Sequence, residues 1–104
     1  MESYRVIFSP EAETQLVAIY RRISGKTAPT IADRFMRAIV DYCEKLETFP
    51  HRGTRRDDLR PGLRTIGFRR RVTIAFAVEA EAVTIIGIFY GGQDFEAALQ
   101  IDEA

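Results

Sequence analysis

The stretch VTIAFAVEAEAVTIIGIFY, residues 72–90, decides the fold. Its first seven residues place Val72, Ile74, Phe76 and Val78 on one face and Thr73, Ala75 and Ala77 on the other. That alternation is the period of a strand with one face in a core. Residues 82–90 are apolar on both faces, which fits a strand with neighbours on either side. Between them EAEA (79–82) reads as a hairpin turn, although it lacks the usual glycine or asparagine. The more apolar strand should lie mid-sheet, next to the first strand of the chain.

Working upstream, LRTIG (63–67) is a further short strand, and HRGTRRDDLRPG (51–62) is loop-like, punctuated by Gly53, Pro61 and Gly62. Before that loop the period changes. Ile31, Phe35, Ile39, Tyr42 and Leu46 form a helical stripe flanked by Ala38 and Cys43, begun at Thr27-Ala28-Pro29-Thr30 and stopped by Phe49-Pro50. Leu16, Ile19, Tyr20 and Ile23 form another, begun at Ser9-Pro10-Glu11 and ended by Gly25. The short joint between the helices predicts an antiparallel helical hairpin. YRVIFS (4–9) is a short opening strand. Downstream, Gly91-Gly92 breaks the last strand, and DFEAALQ (94–100) predicts one or two turns of acidic helix. The predicted order is β-α-α-β-β-β: an α+β fold with a mainly antiparallel sheet packed against an α-helical hairpin.

The 104 residues suit one domain spanning 1–104. At 46% hydrophobic and 29% charged the chain has the composition of an ordinary globular protein, not of a disordered one. Its one cysteine, Cys43, can form no intramolecular disulfide and is expected to be a small buried hydrophobe rather than a nucleophile. No run is apolar enough for a signal peptide or a membrane span, so a cytoplasmic protein with no membrane association is expected. No cofactor is expected. His51 is expected at the surface, and Gly91-Gly92 is no phosphate loop because no Lys-Ser or Lys-Thr helix follows.

Charge is balanced, with 15 basic and 15 acidic residues, but it is unevenly placed. Residues 52–71 hold eight arginines and only two aspartates, whereas residues 93–104 hold four acids and no base. Guanidinium groups without lysine suit bidentate recognition of carboxylate or phosphate. The acidic tail is a candidate partner for the basic segment, brought round by Gly91-Gly92 so that Asp94 nears the arginines.

In this order, SPEAETQLVAIYRRI (9–23), IADRFMRAIVDYCEKLETFPHRG (31–53) and LRTIGFRRRVTIAFAVEAEAVTIIGIFYGGQDFE (63–96) resemble the ParE/RelE superfamily of type II toxin–antitoxin toxins. The resemblance covers residues 4–96 and rests on "LxxFPxxG", "LR" opening the next strand, "xVxIxFxV" and "VxIIGIFYGG". It implies the β-α-α-β-β-β fold and a small cytoplasmic toxin silenced by a cognate antitoxin protein. ParE-like members act on DNA gyrase and trap cleaved DNA, whereas RelE-like members cut mRNA on the ribosome. The RelE-like pattern carries a basic residue shortly after the last strand, where this chain has Gly91, Gly92 and Gln93. The ParE-like branch is therefore expected, acting by binding, with DNA gyrase as target. Arg64, Arg69, Arg70 and Arg71 on the sheet face would contact antitoxin or target, with Phe89 or Phe95 as apolar anchors. Two alternatives remain open. One is a ribosome-dependent endoribonuclease with Arg64, Arg70, Arg71 and Tyr90 as catalytic groups, stabilising charge and carrying a proton. The other is a non-toxic member that only binds antitoxin.

Overall fold

The computed structural model describes residues 3–100. Strand β1 (Arg5–Phe8) leads into helix α1 (Pro10–Ser24), and α2 (Pro29–Glu44) follows. A single 3-10 turn, Lys45–Glu47, ends the helical hairpin. Strands β2 (Thr54–Arg55), β3 (Leu63–Phe68), β4 (Val72–Val78) and β5 (Ala82–Tyr90) precede a last short helix, α3 (Phe95–Leu99). The sheet order is β1-β5-β4-β3-β2, antiparallel except for the parallel pair β1–β5. The α+β architecture follows the predicted order, with the most apolar strand interior and beside β1. The difference lies in the 51–62 loop, where Thr54 and Arg55 pair with Thr65 and Arg64. A two-residue ladder is too short to leave an alternating pattern.

The main core lies between the helices and one face of the sheet. Leu16, Ile19, Ile39, Cys43 and Leu46 meet Val72, Ile74, Phe76, Val83, Ile85 and Ile88. Ile31, expected in the α2 stripe, is 52% exposed; Ala32, one residue on in the first turn, takes the buried position instead. The opposite face carries a second, smaller core of Leu59, Leu63, Ala75, Phe89 and Leu99, flanked by Ile86 and Phe95. Here α3 covers the sheet.

A β-bulge explains how β5 serves both cores. Ala75 pairs with Gly87 but Phe76 pairs with Ile85, so Ile86 is an extra residue. The phase slips by one: Val83 and Ile85 face the helices before the bulge, Ile88 and Tyr90 after it. A bulge leaves ladder groups unpaired, and α1 satisfies them. The Ser9 hydroxyl donates to Ile86 O at 3.1 Å, and Ile88 N donates to Gln15 Oε1 at 2.7 Å. Ser9 Oγ also accepts from Ala12 N at 3.1 Å, so one side chain caps α1 and fastens it to the bulge. From there α1 runs toward the Tyr90 end of β5.

Candidate functional site

The β3–β4 turn is the most unusual piece of backbone. Arg71 N donates to Phe68 O at 3.1 Å, and the two residues between, Arg69 and Arg70, have φ of 50° and 60°. This is a left-handed turn of the type I′ kind, which normally selects Asn-Gly because a Cβ is disfavoured there. Two consecutive arginines hold it instead. Arg69, Arg70 and Arg71 are all exposed, and among the described residues none of them pairs with an acid.

Tyr90 stands beside this tip. It pairs with Val72 in register, and Gly91 N donates to Arg71 O at 2.7 Å. The Tyr90 ring meets Phe35 at 6.1 Å between centroids; Phe35 meets Phe68 at 6.1 Å and Phe68 meets Tyr42 at 4.9 Å. A guanidinium caps this aromatic row at two places. Arg69 lies 4.9 Å from the Phe68 centroid, and Arg22, from the last turn of α1, lies 5.3 Å from that of Tyr90. Arg22 was not a candidate from sequence; its place in the basic last turn of α1 was the only local signal.

The arginines of residues 52–64 are arranged differently, because they are used within the chain. Arg56 bridges Asp58 and Glu96, Arg55 pairs with Asp57, and Arg60 Nε donates to Leu99 O at 2.7 Å. Arg52 Nε donates to Phe49 O at 2.8 Å and its guanidinium lies over the Phe49 ring, which is 64% exposed. The hydrogen bonds to Asp58 and then Glu96 raise the Arg56 pKa further above its already high ordinary value. The Gly62 N–H, donating to Asp57 Oδ1 at 2.9 Å, is the main reason Asp57 is held below the usual carboxylate range. Asp58 is lowered chiefly by its hydrogen bond from Arg56. The acidic tail does meet the basic segment, but through Glu96 and the Leu99 carbonyl. Asp94 instead caps α3, accepting from Ala97 N at 3.1 Å. Asp102 and Glu103, the rest of that tail, lie outside the described residues.

The structure therefore divides the expected site. Arg64 pairs across the sheet with Phe76 and Arg55, and its Nη1 donates to Arg52 O at 3.4 Å. It sits five residues along β3 from Arg69, roughly 17 Å at the rise of a strand. Arg64 is thus set apart along the sheet from Arg69, Arg70 and Arg71, at the opposite end of β3. Phe89 is only 6% exposed and packs on Phe95 at 6.2 Å, so both rings are engaged within the second core. Of the nuclease candidates, Arg71 and Tyr90 are neighbours and Arg70 is at the tip, but Arg64 is at the other end of β3. His51 is exposed, edge-on to Tyr4 at 6.3 Å beside the start of β1, roughly 25 Å along the sheet from Tyr90. Cys43 is fully buried, and burial, aided by Glu44, pushes its thiol up to about 12. That is the environment of an inert thiol. Among the described residues no helix is long and apolar enough to cross a membrane.

Comparison with known proteins agrees with this fold. A family model described as "ParE toxin of type II toxin-antitoxin system, parDE" matches residues 6–95. The toxin ParE3 of Caulobacter vibrioides is 28% identical over 95 residues, spanning 91% of this chain and 94% of that protein. The solved chromosomal ParDE toxin–antitoxin system from P. aeruginosa gives a TM-score of 0.75 at 23% identity, covering 86% of this chain and 97% of that one. The toxin–antitoxin complex RelBE2 from Mycobacterium tuberculosis gives 0.60 at 20% identity, covering 89% and 97%. The structural likenesses speak for the fold alone, whereas the family match runs through nearly every element described above. The chain belongs to the ParE toxin family of type II toxin–antitoxin systems.

Proposed function

We propose that the chain acts as a single cytoplasmic toxin domain that inhibits DNA gyrase by binding it, and that a cognate antitoxin holds it silent. The observation that carries this reading is the division of the arginines on a ParE-family fold. Those of residues 52–64 are tied down inside the chain, while Arg69, Arg70 and Arg71, with Arg22 beside them, have no acidic partner among the described residues. A cluster of exposed guanidinium groups that make no ion pair among the described residues is a surface for an anionic partner, not a device for holding the fold. The two solved structures compared above are toxin–antitoxin assemblies by description, which supports an antitoxin as one partner.

The test is a supercoiling assay with purified chain and gyrase, with and without the protein encoded by the adjoining reading frame. Blocked supercoiling and accumulating cleaved DNA, both reversed by that protein, are expected. Undisturbed gyrase together with shortened mRNA on ribosomes would replace this reading with the RelE-type one. Harmless expression of the free chain would leave only an antitoxin-binding role.

A further inference from the structure

We infer that the corner formed by Arg22, Arg69, Arg70, Arg71 and Tyr90 binds the phosphate backbone of duplex DNA directly. The inference deepens the proposed reading of that corner, and it names a ligand rather than a protein target.

Shape is the first argument. The β3–β4 turn projects from the sheet as a convex tip, closed by Arg71 N on Phe68 O. A docked peptide helix needs a groove with apolar anchors. The nearby rings are turned inward: Phe68 is 8% exposed, and Phe35 and Tyr90 are half-buried in the aromatic row. What the tip offers outward is guanidinium. A narrow cationic projection suits a groove lined by phosphates, where inserted arginines are favoured.

Orientation is the second argument. Arg22 and Arg69 stand over the Tyr90 and Phe68 rings. A guanidinium held against a ring makes no hydrogen bond there, so its N–H donors remain available to a phosphate, which can accept them bidentately. These two groups are thus held before any ligand arrives, which lowers the ordering cost of binding.

The third argument is the backbone. Arg69 and Arg70 keep φ of 50° and 60°, where Asn-Gly would sit without penalty. A sparsely populated conformation held by two long cationic side chains points to a demand on the side chains themselves.

The experiment is fluorescence anisotropy of a labelled duplex titrated with the full chain at several salt concentrations. If about four phosphates are neutralised, log K should fall against log[salt] with a slope of about −3 to −4, roughly a hundredfold weaker binding between about 50 and 200 mM salt. The R69Q/R70Q variant should lower the magnitude of the slope by about 2, and R22Q by about 1. R55Q, in β2 at the far edge of the sheet, should leave it unchanged. Thermal melts of each variant verify folding, which these exposed positions leave intact. No duplex binding at the lowest salt, or a slope indifferent to Arg22, Arg69 and Arg70, overturns the inference. So does arginine-dependent binding of a polyglutamate peptide in place of the duplex. Gyrase inhibition that survives without DNA binding would sink this inference and spare the gyrase reading; DNA binding without gyrase inhibition would do the reverse.

Discussion

The Arg22 guanidinium lies 5.3 Å from the centre of the Tyr90 ring, so the end of α1 and the end of β5 meet at the arginine tip. The ring, rather than the hydroxyl, makes this contact. Tyr90→Phe should therefore leave both stability and growth inhibition unchanged. Tyr90→Ala should destabilise by about 2 kcal/mol, less than the ~3–5 kcal/mol of a fully buried aromatic, because Tyr90 is half-buried. Denaturation midpoints and a plating assay check both. Loss of toxicity in Tyr90→Phe with unchanged stability would assign proton chemistry to the hydroxyl and revive the nuclease alternative.

The tip makes opposite demands on stability and activity. Replacing Arg69-Arg70 by Asn-Gly relieves two positive-φ arginines, each costing about 1–2 kcal/mol in the left-handed region. R69N/R70G should raise the unfolding free energy by about 1–3 kcal/mol while abolishing growth inhibition. A variant that is both stabilised and fully toxic would show that the tip plays no part in activity.

Gly53 explains the last letter of the "LxxFPxxG" pattern. It has φ of 81°, and a Cβ built there would stand 2.4 Å from Thr65 O, at the start of the short β2–β3 ladder. Gly62 has φ of 77° but open space around its would-be Cβ. Gly53→Ala should cost more than about 2 kcal/mol, and Gly62→Ala only the backbone term of about 1–2 kcal/mol. Urea unfolding of the two variants compares them; equal losses would mean that the approach to Thr65 is not a constraint.

Asp57 and Asp58 are both held below their ordinary value of 3.8 in the folded chain. The folded state therefore favours their ionised forms. Their contribution is present above that ordinary value and is lost as pH falls through the folded values below it. Melts between about pH 6 and pH 2 should show stability dropping on the acid side, and Asp57→Asn should flatten part of that slope by removing the carboxylate that accepts from Gly62 N. An unaltered slope would mean the loop carboxylates are not linked to folding.

Much of the fold was legible because long elements leave periodic traces. The two helices, β4, β5 and the Glu79–Ala82 turn, closed by Glu79 N on Ala82 O at 2.8 Å, all follow from spacing. The β2 ladder and the 3-10 turn are too short to repeat anything. The bulge at Ile86 was hidden because β5 is apolar on both faces, so a slip of one residue changes no letter of the pattern. The candidate site was less legible. Proximity in sequence grouped Arg64 with Arg69, Arg70 and Arg71, but an extended strand carries neighbours apart. Phe89 and Phe95 looked available because nothing local says that α3 folds back over them. Arg22 was missed for the converse reason: its place over Tyr90 comes from how α1 is fastened to the bulge, a long-range contact.

That fastening joins Ser9 to Ile86, partners 77 residues apart in the chain, and among the described residues β1 lies against β5 and no other strand. During synthesis neither β1 nor the start of α1 can find its place until the second strand of the last hairpin has been made. Such distant closure makes folding late and comparatively slow. Nascent chains halted before Ala82 should be digested by a protease that spares the full chain, so any activity of this fold waits on the strand that receives β1.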